Sequence, residues 1–263
     1  YTLDEDISNQ IESEQYYSSG GLSYRYIPEW AKLPECLWGH VISGIACDEE
    51  DCVYLTMRCK QAPIVKLDPE GNFLCALGQQ LPIAKLHGIS IGPSGSIWVT
   101  DDTNHVAFEL DRNGRLLKQL GTLGRPSNSG YHPDYIAPDD TSQPIRVKVY
   151  DEYGAEVERI ISNSAYRSIE RLAPPFNKPT KIIETQGHGL FASDGYGNTA
   201  IHAFDQDGNL LRSWGGPGRE PGHFSIVHSL WIDSRRRIWA CDREQDRVQV
   251  FSMDGELLKI LDG

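Results

Sequence analysis

His87 and His228 are each followed by one small residue and then an apolar one, in the runs Leu86-His87-Gly88-Ile89-Ser90-Ile91 and Val227-His228-Ser229-Leu230-Trp231-Ile232. Two imidazoles at matched points of a repeated pattern can be aimed at one place, and imidazole nitrogen is a ligand for zinc and its neighbours. Three histidines around one point with a fourth position open are the ligand set of a catalytic zinc, so a third matched histidine would complete such a site. The alternative is that each histidine only packs at a strand rim, and matched placement argues against it. The corresponding places in two further units hold Ser43 and Pro179-Thr180. His105, His132, His188, His202 and His223 lack this symmetry and read as surface or turn residues.

Such side chains need a rigid frame, and repetition supplies one. Four segments end alike: Val65-Lys66-Leu67-Asp68 before Gly71-Asn72-Phe73-Leu74, Phe108-Glu109-Leu110-Asp111 before Gly114-Arg115-Leu116-Leu117, Ala203-Phe204-Asp205 before Gly208-Asn209-Leu210-Leu211, and Val250-Phe251-Ser252 before Gly255-Glu256-Leu257-Leu258. Each reads as strand, glycine turn, strand. Upstream lies another pair of strands, clearest where His87 to Ile91 precedes Ser96-Ile97-Trp98-Val99-Thr100-Asp101 and where His228 to Ile232 precedes Arg237-Ile238-Trp239-Ala240-Cys241-Asp242. Four short strands in about 40 to 47 residues is the period of a β-propeller blade. The fold class is therefore all-β, with blades at about 40–78, 84–121, 177–215 and 224–263. Asp101, Asp194 and Asp242 recur at one blade position and read as turn-capping carboxylates.

Residues 125–172 break the period. There Tyr135-Ile136-Ala137, Ile145 to Tyr150 and Gly154 to Ile160 imitate a blade's last three strands without an obvious first, which favours an inserted hairpin over a degenerate fifth blade. Residues 1–21 read as a disordered tail ahead of a partial propeller at 22–263, and Leu22 to Ile27 as a strand able to pair with the last blade. Trp98 and Trp239, placed on inner strands, suit a ring of about six blades, the remainder coming from further chain or another subunit.

A formal charge of -12 argues against nucleic-acid and anionic-membrane surfaces, which require a basic patch. No apolar run approaches the roughly 20 residues of a membrane span. The start Tyr1-Thr2-Leu3-Asp4 has neither a basic nor an apolar segment, so a processed or truncated N-terminus is expected. Cys36, Cys47, Cys52, Cys59, Cys75 and Cys241 show no zinc-finger spacing. Cys47 and Cys52 flank a turn and suit either a cross-strand disulfide or two free thiols, so the compartment stays open, with a secreted or periplasmic one ahead of the cytoplasm.

The runs Ser43-Gly44-Ile45-Ala46-Cys47-Asp48, Leu86 to Ile91, Trp98-Val99-Thr100-Asp101, Ser193-Asp194-Gly195-Tyr196-Gly197-Asn198, Val227-His228-Ser229-Leu230 and Cys241-Asp242-Arg243-Glu244 resemble the blade motifs of NHL-repeat β-propellers, in particular the peptidyl-α-hydroxyglycine α-amidating lyases and their bacterial relatives. The resemblance implies a six-bladed NHL propeller with a channel zinc on three histidines, two of them His87 and His228. It implies a structural calcium held partly by the backbone carbonyls of Ile45 and Ile89. It gives Arg58 and Arg243 as active-site arginines and Tyr196 as the catalytic tyrosine. The third histidine and the aspartate after it, a calcium ligand, would lie beyond Gly263, and Gly197 stands where the animal enzymes carry a disulfide cysteine.

That activity cleaves an N-acyl-α-hydroxyglycine to an amide and glyoxylate, so the partner expected is a small molecule or peptide bearing a carboxylate. A metal lowers the pKa of the substrate hydroxyl, a tyrosine takes its proton, and the planar fork of arginine holds the carboxylate. For each residue a plainer role exists: a solvated cation for Arg58, an ion pair with Asp242 or Glu244 for Arg243, edge packing for Tyr196. A non-catalytic NHL scaffold for a protein partner and a regucalcin-like lactonase with a carboxylate-held metal are the competing functions. The paired histidines disfavour the second, since calcium prefers oxygen ligands.

Overall fold

The computed structural model describes residues 16–19, 21–141, 145–150, 156–161 and 163–263. They form four antiparallel four-stranded sheets, the blades of a β-propeller, and two hairpins. The first hairpin is β1 (Tyr16–Ser19) with β2 (Leu22–Arg25). Blade one comprises β3 (Ile42–Cys47), β4 (Val53–Met57), β5 (Ile64–Leu67) and β6 (Phe73–Leu77), and blade two β7 (Leu86–Ile91), β8 (Ile97–Asp101), β9 (Val106–Leu110) and β10 (Leu116–Leu120). The second hairpin is β11 (Ile145–Tyr150) with β12 (Glu156–Ile161). Blade three holds β13 (Lys181–Thr185), β14 (Gly189–Asp194), β15 (Ala200–Phe204) and β16 (Leu210–Gly215), and blade four β17 (Val227–Ile232), β18 (Arg237–Asp242), β19 (Arg247–Ser252) and β20 (Leu257–Asp262).

Turn chemistry fixes the outer strands. Asp68, Asp111 and Asp205 each accept the N–H four residues on, from Asn72, Arg115 and Asn209, at 2.7, 2.9 and 2.8 Å, and Ser252 does the same for Glu256 at 3.1 Å. Between them Gly71, Gly114, Gly208 and Gly255 take φ of 80, 79, 92 and 87°, which an L side chain resists.

Each blade buries its faces against its neighbours. Tyr54, Ile64, Leu86, Val99 and Phe108 fill the space between blades one and two; Trp98, Phe176, Ile182 and Phe204 that between two and three; and Phe191, Phe224, Leu230 and Phe251 that between three and four. Full burial of such side chains stabilises the fold by about 1.5–3 kcal/mol each, which the isolated blade could not obtain. The other face of blade one is covered by Trp30, Leu33 and Leu37 from the segment before it.

The innermost strands β3, β7, β13 and β17 touch in that order, so blades two and three are direct neighbours and the segment between them is not a blade in the ring. Within it Tyr135 to Ala137 is not a strand. Three sequence expectations need correction. β2 pairs with β1, not with the last blade, because a local hairpin costs less loop entropy. Tyr16–Ser19 is therefore a strand, not tail, while residues 1–15 and 20 lie outside the described residues. Trp98 and Trp239 sit on the second strands, β8 and β18, so they report on packing between blades and not on the width at the axis. All six cysteines are unbridged. Among the described residues no helix is long and apolar enough to cross a membrane.

Candidate functional site

Strand register places the matched residues. Ile45, Ile89, Ile182 and Leu230 lie opposite Leu55, Val99, Ala192 and Ala240, and two residues earlier stand Ser43, His87, Thr180 and His228. At this level the inner strands are stitched together. The Ser43 hydroxyl donates to the Leu86 carbonyl at 2.8 Å, His87 Nδ1 to the Thr180 carbonyl at 2.8 Å, and the Thr180 hydroxyl to the Val227 carbonyl at 2.9 Å. Small Thr180 in blade three leaves open the space between the two imidazoles.

Tyr196 fills that space. Its hydroxyl lies 3.0 Å from His87 Nε2 and 2.8 Å from His228 Nε2, and the two imidazole centroids are 4.9 Å apart. His87 donates from Nδ1, so its Nε2 carries the lone pair and accepts from the phenol, whose oxygen in turn accepts from His228 Nε2–H. Burial lowers the pKa of His87, and it lowers that of His228 to about 4, with His87 and Arg243 acting in the same direction. Both rings are therefore neutral at pH 7, the form that binds a metal. Burial raises the Tyr196 phenol above its ordinary range, with Arg243 pulling the other way.

The turn that carries Tyr196 is built to lie against blade four. A Cβ on Gly195 would stand 2.1 Å from the Val227 carbonyl oxygen, and one on Gly197 2.4 Å from Asn177 Oδ1. Only glycine allows this approach on both sides of Tyr196. Position 197 thus has no room for a side chain, cysteine included. Asp101, Asp194 and Asp242 end the second strands and accept backbone N–H groups from the chain entering the same blade: Ala84 at 2.7 Å, Asn177 at 2.7 Å and Ser225 at 3.0 Å. These carboxylates fix where each inner strand starts, and so the height of both histidines.

Arg58, Asp102 and Arg243 each follow the last residue of their blade's second strand and line, with Tyr196, a cavity of about 490 Å³. Asp102 is buried and paired with Lys85 at 2.9 Å. Arg243 pairs with Glu244 at 2.8 Å and also stands 5.5 Å from the centre of the Tyr196 ring. Arg58 is exposed, and its guanidinium makes no ion pair or side-chain hydrogen bond with a described residue.

Sequence reasoning missed Tyr131 and Tyr166, which come from the segment between blades two and three and wall the same cavity. No repeat signature marks them. The Tyr131 phenol is pushed up to about 12 by burial, then by Asp102 and Asp134. It misread His202, which is fully buried on β15 between Ser213 and Asp194, at 2.7 and 3.4 Å, rather than at the surface.

Ile45 and Ile89 lie elsewhere. They line a second cavity of about 690 Å³, which Lys181 also lines. The acids on this cavity are engaged by protein groups: Asp48 by Tyr54 and Lys66, Glu49 by Arg112, Glu184 by Ser94 and Ser96.

No protein-family model matches the chain. It is 29% identical over 176 residues to a mouse peptidyl-glycine alpha-amidating monooxygenase, covering 64% of this chain and 14% of that protein. It is 26% identical to a probable peptidyl-alpha-hydroxyglycine alpha-amidating lyase of Caenorhabditis elegans, covering 63% of this chain and 36% of that protein. With human NHL repeat-containing protein 3 it shares 25% identity over 89% of this chain and 58% of that protein. The chain thus spans less than two thirds of these relatives. It is an all-β, NHL-repeat propeller protein that resembles the amidating lyases.

Proposed function

We propose that this protein is a metal-dependent carbon–nitrogen lyase that cleaves an N-acyl-α-hydroxyglycine-like substrate to an amide and glyoxylate. One observation carries the reading: a phenol held between two neutral imidazole Nε2 atoms, at a cavity that also presents a guanidinium with no ion-pair partner among the described residues. His87 and His228 would hold a zinc ion through Nε2, as two ligands of its set, His228 then in its other neutral tautomer with the proton on Nδ1; His87 fits because its Nδ1–H is fixed by the Thr180 carbonyl, which orients the ring and raises its basicity. Zinc supplies a Lewis acid that lowers the pKa of nearby hydroxyl oxygens. No third histidine stands at this point among the described residues.

The chain's own groups account for the rest. Arg58, without an ion-pair partner among the described residues, binds the substrate carboxylate through both oxygens. Tyr196, as phenolate, takes the proton of the α-hydroxyl; the C–O bond becomes a carbonyl, the C–N bond breaks, and the leaving amide nitrogen receives that proton back from the Tyr196 phenol. Because burial favours the protonated phenol, Tyr196 needs positive charge close by to act as a base, and Arg243 provides part of it. The aromatic walls Tyr131 and Tyr166 exclude water from the acyl side.

The test is glyoxylate release from N-benzoyl-α-hydroxyglycine by zinc-loaded protein. Tyr196→Phe should lower turnover by about a hundredfold or more with zinc content unchanged, and His87→Ala should lose zinc. Near-normal turnover in Tyr196→Phe removes the phenol from the mechanism, and no glyoxylate from the parent protein sets the lyase reading aside.

A further inference from the structure

We propose that the cavity at the Ile45 and Ile89 end of the channel is a binding site for an anionic ligand, a carboxylate carrying an apolar group, with Lys181 as its cation. The proposal stands apart from the lyase reading, since it concerns the other cavity.

Lys181 begins β13 and is the register equivalent of Gly44, Gly88 and Ser229 on the other inner strands. It is the one member of that ring with a long side chain. A Cβ on Gly88 would stand 2.2 Å from the Thr180 carbonyl oxygen and 3.0 Å from Lys181 Cα, so the inner strands of blades two and three are seated tightly here. The residue is half-buried. Its ammonium makes no ion pair or hydrogen bond with a described residue, and among these residues Cys241 is the titratable group that acts on it. A cation withdrawn from water with no counter-charge is an energetic debt that an anion would cancel.

The remaining walls state what kind of anion. Ile45, Ile89, Ile183 and Trp231 present apolar surface to the same cavity, and Ile45 and Trp231 remain 63% and 65% exposed. A volume of about 690 Å³ lies within the ordinary range of small-molecule sites, which pair apolar walls with a few placed polar groups. An apolar chain or ring ending in a carboxylate satisfies both features; inorganic phosphate satisfies only the charge, and a neutral amphiphile only the walls.

The experiment is calorimetric titration of the full chain with sodium octanoate, and in parallel with 1-octanol, inorganic phosphate and calcium chloride. Octanoate should bind at least tenfold more tightly than 1-octanol or phosphate, and calcium should not bind in this cavity. Lys181→Met should bring octanoate down to the level of 1-octanol, while Lys181→Arg keeps the preference. If Lys181→Met fails to melt cooperatively, Lys181→Gln takes its place. Equal binding of octanoate and 1-octanol by the parent protein, absence of octanoate binding, or unchanged octanoate binding in the folded Met or Gln variant would each overturn the proposal. So would stoichiometric calcium that Lys181→Glu strengthens and octanoate does not displace.

Discussion

Gly195→Ala should damage this protein at the point where blades three and four meet, because the added methyl has nowhere to go. Its carbon would lie 2.1 Å from the Val227 carbonyl oxygen, 2.7 Å from the carbonyl carbon and 3.1 Å from the nitrogen, all backbone atoms of β17 or its first residue. Ordinary contact begins near 3.4 Å, so the two chains must separate by about 1.3 Å. Gly195 does not have a positive φ, so alanine meets no conformational penalty there and the effect is steric. Overpacking costs about 1–3 kcal/mol where side chains can yield, and a clash with backbone belongs at the upper end, about 3 kcal/mol. At roughly 2–4 °C per kcal/mol for a chain of this size, Tm should fall by about 6–12 °C. Val227 also accepts the Thr180 hydroxyl and precedes His228, so the 2.8 Å contact between Tyr196 and His228 should open with it. Thermal melting and glyoxylate assay of the same preparation measure both effects. Gly187→Ala is the control: φ there is 77° but no atom lies within 4 Å, so only about 1 kcal/mol of backbone strain is expected and turnover should stay unchanged. A Gly195→Ala protein that melts with the parent and keeps its turnover would show that the blades are not seated as closely as argued.

Other consequences follow from the same geometry. In metal-free protein His228 contributes to acid sensitivity: its pKa of about 4 lies below the 6.5 of an unperturbed ring, so the unfolded chain binds the proton first and stability present above pH 6.5 is lost as pH falls toward 4. After allowing for solvent screening of a partly exposed ring the loss is about 1–2 kcal/mol, and urea melts of His228→Gln should show a shallower pH slope than the parent. Asp101→Ala should cost about 3 kcal/mol or more in urea denaturation, because the N–H groups of Ala84, Lys85, Thr103 and Asn104 lose their shared acceptor. Arg58→Ala should raise KM for N-benzoyl-α-hydroxyglycine with little change in kcat, as for a contact made equally in ground and transition states; an equal fall in kcat would give Arg58 a different role. Tyr131→Ala should raise KM for the N-benzoyl substrate more than for its N-acetyl counterpart, and an equal effect on both would take Tyr131 out of the acyl wall.

What the sequence by itself determined is local and periodic. Alternation of apolar residues and the Asp- or Ser-to-Gly turns set the strands, four like turn signals, spaced by about one blade except across residues 125–172, set the blades, and the matched runs around His87 and His228 put both histidines on the same step of equivalent strands. These features are encoded within a few residues of one another, and a repeat displays them several times over. Tertiary structure decided whatever depends on which blade lies against which. That Tyr196 reaches between the two imidazoles follows from small Thr180 on the intervening strand and from glycines that let one turn rest on the next blade. That Tyr131 and Tyr166 wall the cavity follows from where a non-repeating segment folds back, which no period foretells. That Lys181 lines one cavity with Ile45 and Ile89 and has no ion-pair partner among the described residues is invisible in one dimension, because electrostatic compensation depends on distance in space, and strands 40 or more residues apart in sequence become neighbours only when the blades close against each other.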